Sequence, residues 1–391
     1  MIAIRARVVE RFRELHGRSP DLLVRAPGRV NLLGAHVDYN EGLVLPGAID
    51  RAVWLAAARG SGPILSVTSL ELGAGEALTL DPVPGPAAAT GRASMGWMEY
   101  PAGVAWALAA AGHRVTPLDA VVGSELPPGA GVSSSAAIEV AFLLAWRELG
   151  GLALDDVEAA RLGRRVENDY VGVQSGVMDQ FASLAGRRDH VVLLDCRTFD
   201  WERLPLPAGI AVLVADTGVR RRLVAGQLND RRSECGEALR LLRERGLHLA
   251  ALRDADAGTL EAAGSLPETL QRRVRHVVEE CERVRRGAAL LRDGREPAAL
   301  GALVSDSHRS SRDLYQVSIP ELDVLAEAAW GAPGCHGARL MGAGFGGCVA
   351  ALVDEDRADV VAASIERAFA ARFGRAPEIH RCRIADGAAV V

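Results

Sequence analysis

The stretch Leu126-Pro127-Pro128-Gly129-Ala130-Gly131-Val132-Ser133-Ser134-Ser135-Ala136-Ala137 has the residue types of an anion cradle. Small side chains let a ligand approach the backbone closely. The run follows a strand pattern and opens a helix whose apolar positions are Ala137, Val140, Ala141, Leu144 and Ala145. Free amides at that helix start, backed by the positive end of the dipole, bind phosphate without lysine. The chain contains no lysine, so all 45 of its Lys+Arg residues are arginine. That excludes the Walker A loop and the protein-kinase site, both of which need a lysine on the phosphates. Phosphate handling falls to backbone amides, magnesium and arginine. Three serines alone would read as a helix cap; the intact Pro-x-Gly-x-Gly-x-Ser-Ser-Ser-Ala-Ala run favours the cradle.

The elements that must position this loop follow from apolar periodicity. An amphipathic helix is expected over residues 1–20 and a strand around 22–26, with sheet segments at 44–58 and 64–67. Residues 72–95, rich in Gly, Ala and Pro, read as an exposed loop region. A helix over 100–111 and a strand over 118–122 precede the loop, and the helix after it stops at Gly150-Gly151. Helices are expected over 154–170 and 178–184, strands over 191–195 and 210–216, and a charged helical layer over 230–292. Strands at 337–340 and 349–353 and a helix over 358–373 close the chain. The pattern is α+β, in two domains with a cleft between them.

The 391 residues suit two domains of ordinary size, and 49% hydrophobic with 24% charged residues is a globular composition. A net charge of -5 argues against a nucleic-acid partner. No apolar run is long enough for a membrane span, and the N-terminus lacks the apolar core of a signal peptide. The six cysteines are scattered with no CxxC pair, as in reduced thiols of a cytoplasmic enzyme.

The phosphate loop resembles the central motif of the GHMP kinases, the superfamily of galactokinase, homoserine, mevalonate and phosphomevalonate kinases. Residues 25–46, Arg-Ala-Pro-Gly-Arg-Val-Asn-Leu-Leu-Gly-Ala-His-Val-Asp-Tyr-Asn-Glu-Gly-Leu-Val-Leu-Pro, resemble the galactokinase signature Gly-Arg-x-Asn-Leu-Ile-Gly-Glu-His-x-Asp-Tyr. Residues 337–348, Gly-Ala-Arg-Leu-Met-Gly-Ala-Gly-Phe-Gly-Gly-Cys, resemble its glycine-rich third motif. Gly176-Val-Met-Asp-Gln-Phe181 and the segment 313–323 also look like galactokinase segments, in family order. The resemblance implies an N-terminal ribosomal-protein-S5-like domain over 1–190 and a C-terminal ferredoxin-like α/β sandwich over 191–391. It further implies an ATP- and magnesium-dependent sugar 1-kinase, with ATP and a small sugar as partners, acting as a monomer or weak homodimer.

Carried over residue by residue, the resemblance makes Asp179 the carboxylate facing the anomeric hydroxyl, as general base or electrostatic partner. Arg29 stands beside it to stabilise developing phosphate charge. Ser135 and Glu167 are the implied magnesium ligands. Pro128, Gly129, Gly131, Ser133, Ser134 and Ser135 form the nucleotide loop, and Trp97 and Tyr100 flank adenine. For the sugar, Asp38 takes the C3 and C4 hydroxyls, His36 the C6 side, and the Gly176 backbone the C1–C2 edge. The Gly342–Gly347 run should pass close to the cleft.

Two departures fall in the sugar pocket. Ala35 stands where the signature has Glu, and Leu228 where the family has the Tyr of a Tyr-Asn-x-Arg-Arg segment. A kinase with altered C6 specificity is therefore an alternative, with galacturonic acid or L-arabinose as substrates and Arg221 or Arg222 pairing with a C6 carboxylate. A non-catalytic sugar-sensing regulator is the alternative of another class.

Overall fold

The computed structural model describes residues 3–73, 75–127, 129–220, 224–294 and 296–391. Helix α1 (Ile4–His16) leads into strands β1 (Leu22–Asn31), β2 (Leu43–Val44), β3 (Pro46–Arg59), β4 (Ile64–Ser69) and β5 (Gly75–Thr79). Helices α2 (Ala87–Thr90) and α3 (Glu99–Ala110), strand β6 (Leu118–Ser124) and helices α4 (Ser134–Gly150), α5 (Asp156–Arg165) and α6 (Met178–Ala185) follow. Strands β7 (His190–Asp195), β8 (Trp201–Pro205) and β9 (Ile210–Asp216) precede helices α7 (Val224–Glu244), α8 (Ala257–Ala263), α9 (Glu268–Arg292), α10 (Pro297–Asp313) and α11 (Pro320–Trp330). The chain ends with β10 (Cys335–Leu340), β11 (Cys348–Asp354), α12 (Ala358–Phe373), β12 (Glu378–Cys382) and β13 (Ala389–Val390).

A six-stranded sheet has the order β13-β1-β3-β6-β4-β5, antiparallel except where β4 and β6 run parallel. A four-stranded antiparallel sheet has the order β10-β11-β9-β12, and β2-β7-β8 form a third. Helix α4 is buried on nearly every side, from Ala136 to Trp146, because its apolar residues continue around the helix rather than along one stripe. It packs on β1 and β3 and against α3, α5 and α6. That holds its N-terminus, and so the phosphate loop, beside β1. On the opposite face, Val8 and Phe12 of α1, one turn apart, bury against Ala56, Ala58 and Val121.

Three expectations need correction. Residues 72–95 are not loop throughout: β5 pairs antiparallel with β4 and α2 lies within the stretch. Only Leu78 of β5 is buried, too thin an apolar pattern to announce a strand. The expected helix over 154–170 starts at Asp156, capped by the Asp155 side chain, and changes at residue 166 into a π-helical turn, Val166–Val171. The chain end adds β12 and β13, and β13 pairs with β1.

Helix α10 crosses β10 at glycines. A Cβ on Gly337 would lie 1.9 Å from the Gly301 carbonyl oxygen, and one on Gly301 would lie 2.1 Å from that of His336. Backbone meets backbone there, so neither side can give way. Gly337→Ala should destabilise the chain by roughly 3 kcal/mol through overpacking, read as a lower urea midpoint with an unchanged slope. An unchanged midpoint would show that α10 and β10 can separate without cost.

Candidate active site

The site begins where β1 is interrupted. Its pairing with β3 shifts register between Pro27 and Arg29, and Gly28 sits at that point. A Cβ on Gly28 would lie 2.6 Å from the Val132 carbonyl oxygen, so only glycine lets the phosphate loop rest on the strand. The Arg29 amide donates to that same oxygen at 3.1 Å. The Arg29 guanidinium is 3% exposed. Its Nε and Nη2 donate to the two oxygens of Asp179 at 2.7 and 2.8 Å, and Nη1 to the Gly131 carbonyl at 2.7 Å. The hydroxyl of Ser133 also donates to Asp179. Ser133 stands at the start of α4 with a left-handed φ of 61° and makes no side-chain cap bond, so its hydroxyl serves Asp179 and not the helix.

Glu167 lies in the π-helical turn and is 7% exposed, not on a solvated charged face. One of its oxygens accepts from Ser135 Oγ at 3.1 Å and the other from Ser175 Oγ. Burial first, and the charge of Asp179 second, push the Glu167 carboxyl up to about 7. The same two causes push Asp38 up to about 6.

The third part is the turn after β1. Asp38 packs on Gly176, where a Cβ would fall 2.2 Å from the Asp38 Oδ2; glycine is required for that contact. His36 has a left-handed φ of 56°, a conformation costly for a non-glycine residue and concentrated at functional sites. Its Nδ1 lies 2.9 Å from the Tyr39 hydroxyl, which is 2.9 Å from that of Tyr315.

These parts line one cleft of about 460 Å³. Arg29, Ala35, His36, Asp38, Glu167, Gly176, Asp179 and Leu228 face it, with Tyr100 and the loop residues Gly129, Gly131, Ser133, Ser134 and Ser135. Gly342 and Ala343 of the glycine-rich run also line it. Trp97 is not among the lining residues; its indole Nε1 donates to Glu76 at 3.1 Å. Pro128, Arg221 and Arg222 lie outside the described residues.

The galactokinase galactose-binding signature matches residues 10–59, the GHMP kinases N terminal domain residues 99–187, and the GHMP kinases C terminal domain residues 288–371. The chain is 42% identical to a galactokinase of Roseiflexus sp. (strain RS-1), over 97% of this chain and 95% of that one. The chain belongs to the galactokinase family. It is also 40% identical to a galactokinase of Streptomyces coelicolor, over 99% and 98% of the two chains. The crystal structure of Lactococcus lactis galactokinase complexed with galactose superposes with a TM-score of 0.92 at 30% identity, covering 99% of this chain and 100% of that one. A mevalonate kinase, at 17% identity and a TM-score of 0.63, shares the fold alone. Among the described residues no helix is long and apolar enough to cross a membrane.

Sequence reasoning assigned no role to several lining residues, among them Tyr39, Ser175, Arg220 and Arg339. Tyr39 and Arg339 lie inside the family motifs and Ser175 directly precedes Gly176, so proximity to motif residues was the available signal. Arg220 reaches the cleft edge beside Gly129, where a Cβ would touch its Cδ at 3.3 Å.

Glu167 and Asp38 bind protons more tightly in the folded chain than their ordinary values of 4.5 and 3.8 allow. Such groups contribute stability that is full below the ordinary value and lost as the pH rises through the folded one. Metal-free protein should therefore lose stability between about pH 4 and 7. Glu167→Gln should remove part of that slope, roughly 3 kcal/mol across the range. Urea unfolding in EDTA at several pH values measures it; an identical slope in the variant would assign the protons to other groups.

Proposed function

We propose that this chain transfers the γ-phosphoryl group of ATP to the anomeric C1 hydroxyl of galactose, giving the sugar 1-phosphate and ADP. The observation that carries the reading is the Arg29–Asp179–Ser133 cluster, which joins the phosphate loop to the cleft that also holds His36 and Asp38. Phosphoryl transfer needs alignment of acceptor and phosphate, neutralised charge, and a place for the hydroxyl proton. In this reading Asp179 orients the C1 hydroxyl and receives its proton as the O–P bond forms. Arg29 holds Asp179 in place and offers charge to the phosphate, while the amides of 129–135 bind the nucleotide.

The residues present fit a magnesium ion. Ser135 and Glu167 offer hard oxygens side by side, and the raised Glu167 carboxyl marks a buried acid that a divalent cation would stabilise. Among the described residues no group of three or more His, Cys, Asp or Glu side chains could hold a metal, so phosphates and water would supply the remaining ligands. When bound, the ion supplies charge neutralisation on the phosphate oxygens. In the same reading residues 1–190 bring the sugar signature and the phosphate loop, residues 191–391 the glycine-rich motif, and the setting is cytoplasmic.

Galactose is favoured over the C6-altered sugars because relatives at 36–42% identity are named galactokinases. A purely sensing role is disfavoured by the complete Arg29–Asp179–Ser133 cluster. An ADP-release assay against galactose, galacturonate and L-arabinose tests the reading, with galactose expected to be used best. Absence of galactose-dependent ADP release would overturn it. Asp179→Asn should fold and bind ATP yet turn over roughly 10²–10⁴-fold more slowly; retention of a tenth of the rate would remove Asp179 from its role. Ser135→Ala should raise the magnesium concentration needed for half-maximal rate while leaving galactose affinity nearly unchanged. Unaltered magnesium dependence would move the ion elsewhere.

A further inference from the structure

The turn that presents Ala35, His36 and Asp38 to the cleft is held from behind by α9. Gly34 has a left-handed φ of 97°, and a Cβ there would lie 2.8 Å from the Leu43 carbonyl oxygen. The turn aims the amides of Gly34 and Ala35 at one point, as anion-binding backbone turns do. The anion is internal. Glu280 Oε1 accepts from Gly34 N at 2.8 Å and from Ala35 N at 2.9 Å. One helical turn earlier on the same face, His276 Nε2 lies 2.9 Å from the Ala35 carbonyl oxygen. That oxygen only accepts, so Nε2 carries the proton, and Nδ1 accepts from the Ser310 hydroxyl at 2.8 Å. Both side chains of α9 are fully buried. Neither is among the residues that line the cleft.

Glu280 is itself tightly fixed. Its second oxygen accepts from Arg283 Nε at 2.6 Å, and Ser307 donates to the first at 2.5 Å. Arg339 approaches that first oxygen to 3.8 Å and also donates to the Leu32 carbonyl. Burial alone would raise the Glu280 carboxyl, but the two arginines outweigh it and hold it at about 2. Burial lowers His276 to about 4, so the imidazole is neutral, as its hydrogen bonds require. Two turns further along, α9 packs Gly287 against Leu33, leaving no room for a Cβ.

We propose that Glu280 and His276 are positioning residues for the sugar: they hold the peptide groups on either side of Ala35 and so set where His36 and Asp38 meet the substrate. The proposal rests on the reading of this turn as the galactose loop. The phosphate loop is tied down separately, through Gly28 and Arg29 on β1. Loosening the α9 grip should therefore change sugar binding and spare the nucleotide.

The test compares Glu280→Gln, His276→Leu and His276→Gln with wild type in steady-state galactose kinetics, with thermal unfolding run in parallel. Leucine cannot donate to the Ala35 carbonyl, whereas glutamine can. His276→Leu should raise the galactose KM tenfold or more, and Glu280→Gln, whose amide oxygen still accepts but without the charge, by a smaller factor, with kcat within about threefold and the ATP KM within about twofold. His276→Gln should restore most of the lost galactose affinity. If Glu280→Gln does not fold, the two His276 variants decide. Folded variants with wild-type galactose KM overturn the proposal, as do equal losses in kcat and both KM values that track the folded fraction. A wild type inactive on galactose would instead overturn the function proposed above, so the two failures are distinguishable.

Discussion

The pair of buried Arg29 and half-buried Asp179 is the contact that the rest of the site depends on. It joins a strand, the phosphate loop and helix α6 through one guanidinium, which donates to both oxygens of Asp179 and to the Gly131 carbonyl. Taking two charges out of water costs several kcal/mol per ion unless geometry and further hydrogen bonds offset it. Here the fork is bidentate, and Ser133 fills another lone pair. Removing Asp179 would leave the buried Arg29 guanidinium without its anion, the costly side of breaking such a pair. The register shift in β1, Gly28 beneath the loop and the left-handed Ser133 are the backbone terms of that arrangement.

Around this pair the chain gathers more acid than its burial would favour. Asp38, Glu167 and Glu139 are all raised, each with burial as the leading cause. Glu139 is fully buried and receives Gln180 on one oxygen at 2.8 Å, while its Oε1 has no hydrogen-bond partner among the described residues. Such a concentration is unfavourable for folding and is tolerated where function uses it. Among the described residues, Arg29 is the arginine that pairs directly with one of the cleft's acids, Asp179, while Arg220 and Arg339 also line the cleft.

Much of this was legible in the sequence because the contributing residues are contiguous. The phosphate loop, the turn after β1 and the glycine-rich run are each read from a dozen or so neighbouring residues, and strand 210–216 and helix 358–373 match their apolar patterns. What was hidden depended on partners far along the chain. Strand β5 is defined by β4 and not by its own single buried leucine. Glu167 follows Arg164 and Arg165 on what looks like a charged surface helix, and the π-helical turn that rotates it inward leaves no mark in composition. His276 and Glu280 belong to a region rich in arginine and glutamate that reads as an outer layer. Their burial follows only once α9 is laid against residues 32–35.

That last placement explains how the family signature tolerates alanine at position 35. The peptide groups on either side of Ala35 are fixed by α9, through the amides of residues 34 and 35 and the carbonyl of 35. None of these bonds involves the side chain of residue 35, which lines the cleft. The path of the turn and the chemistry it presents are therefore set by different atoms. A change of side chain at 35 alters the cleft wall without breaking any of the bonds that hold the turn before His36 and Asp38. The same separation holds at Leu228, which faces the cleft from α7 while the neighbouring Asn229 ties that helix to the Gln174 amide at 3.1 Å. Backbone-held turns of this kind let the side chains that line a cleft vary while the path of the chain stays constant.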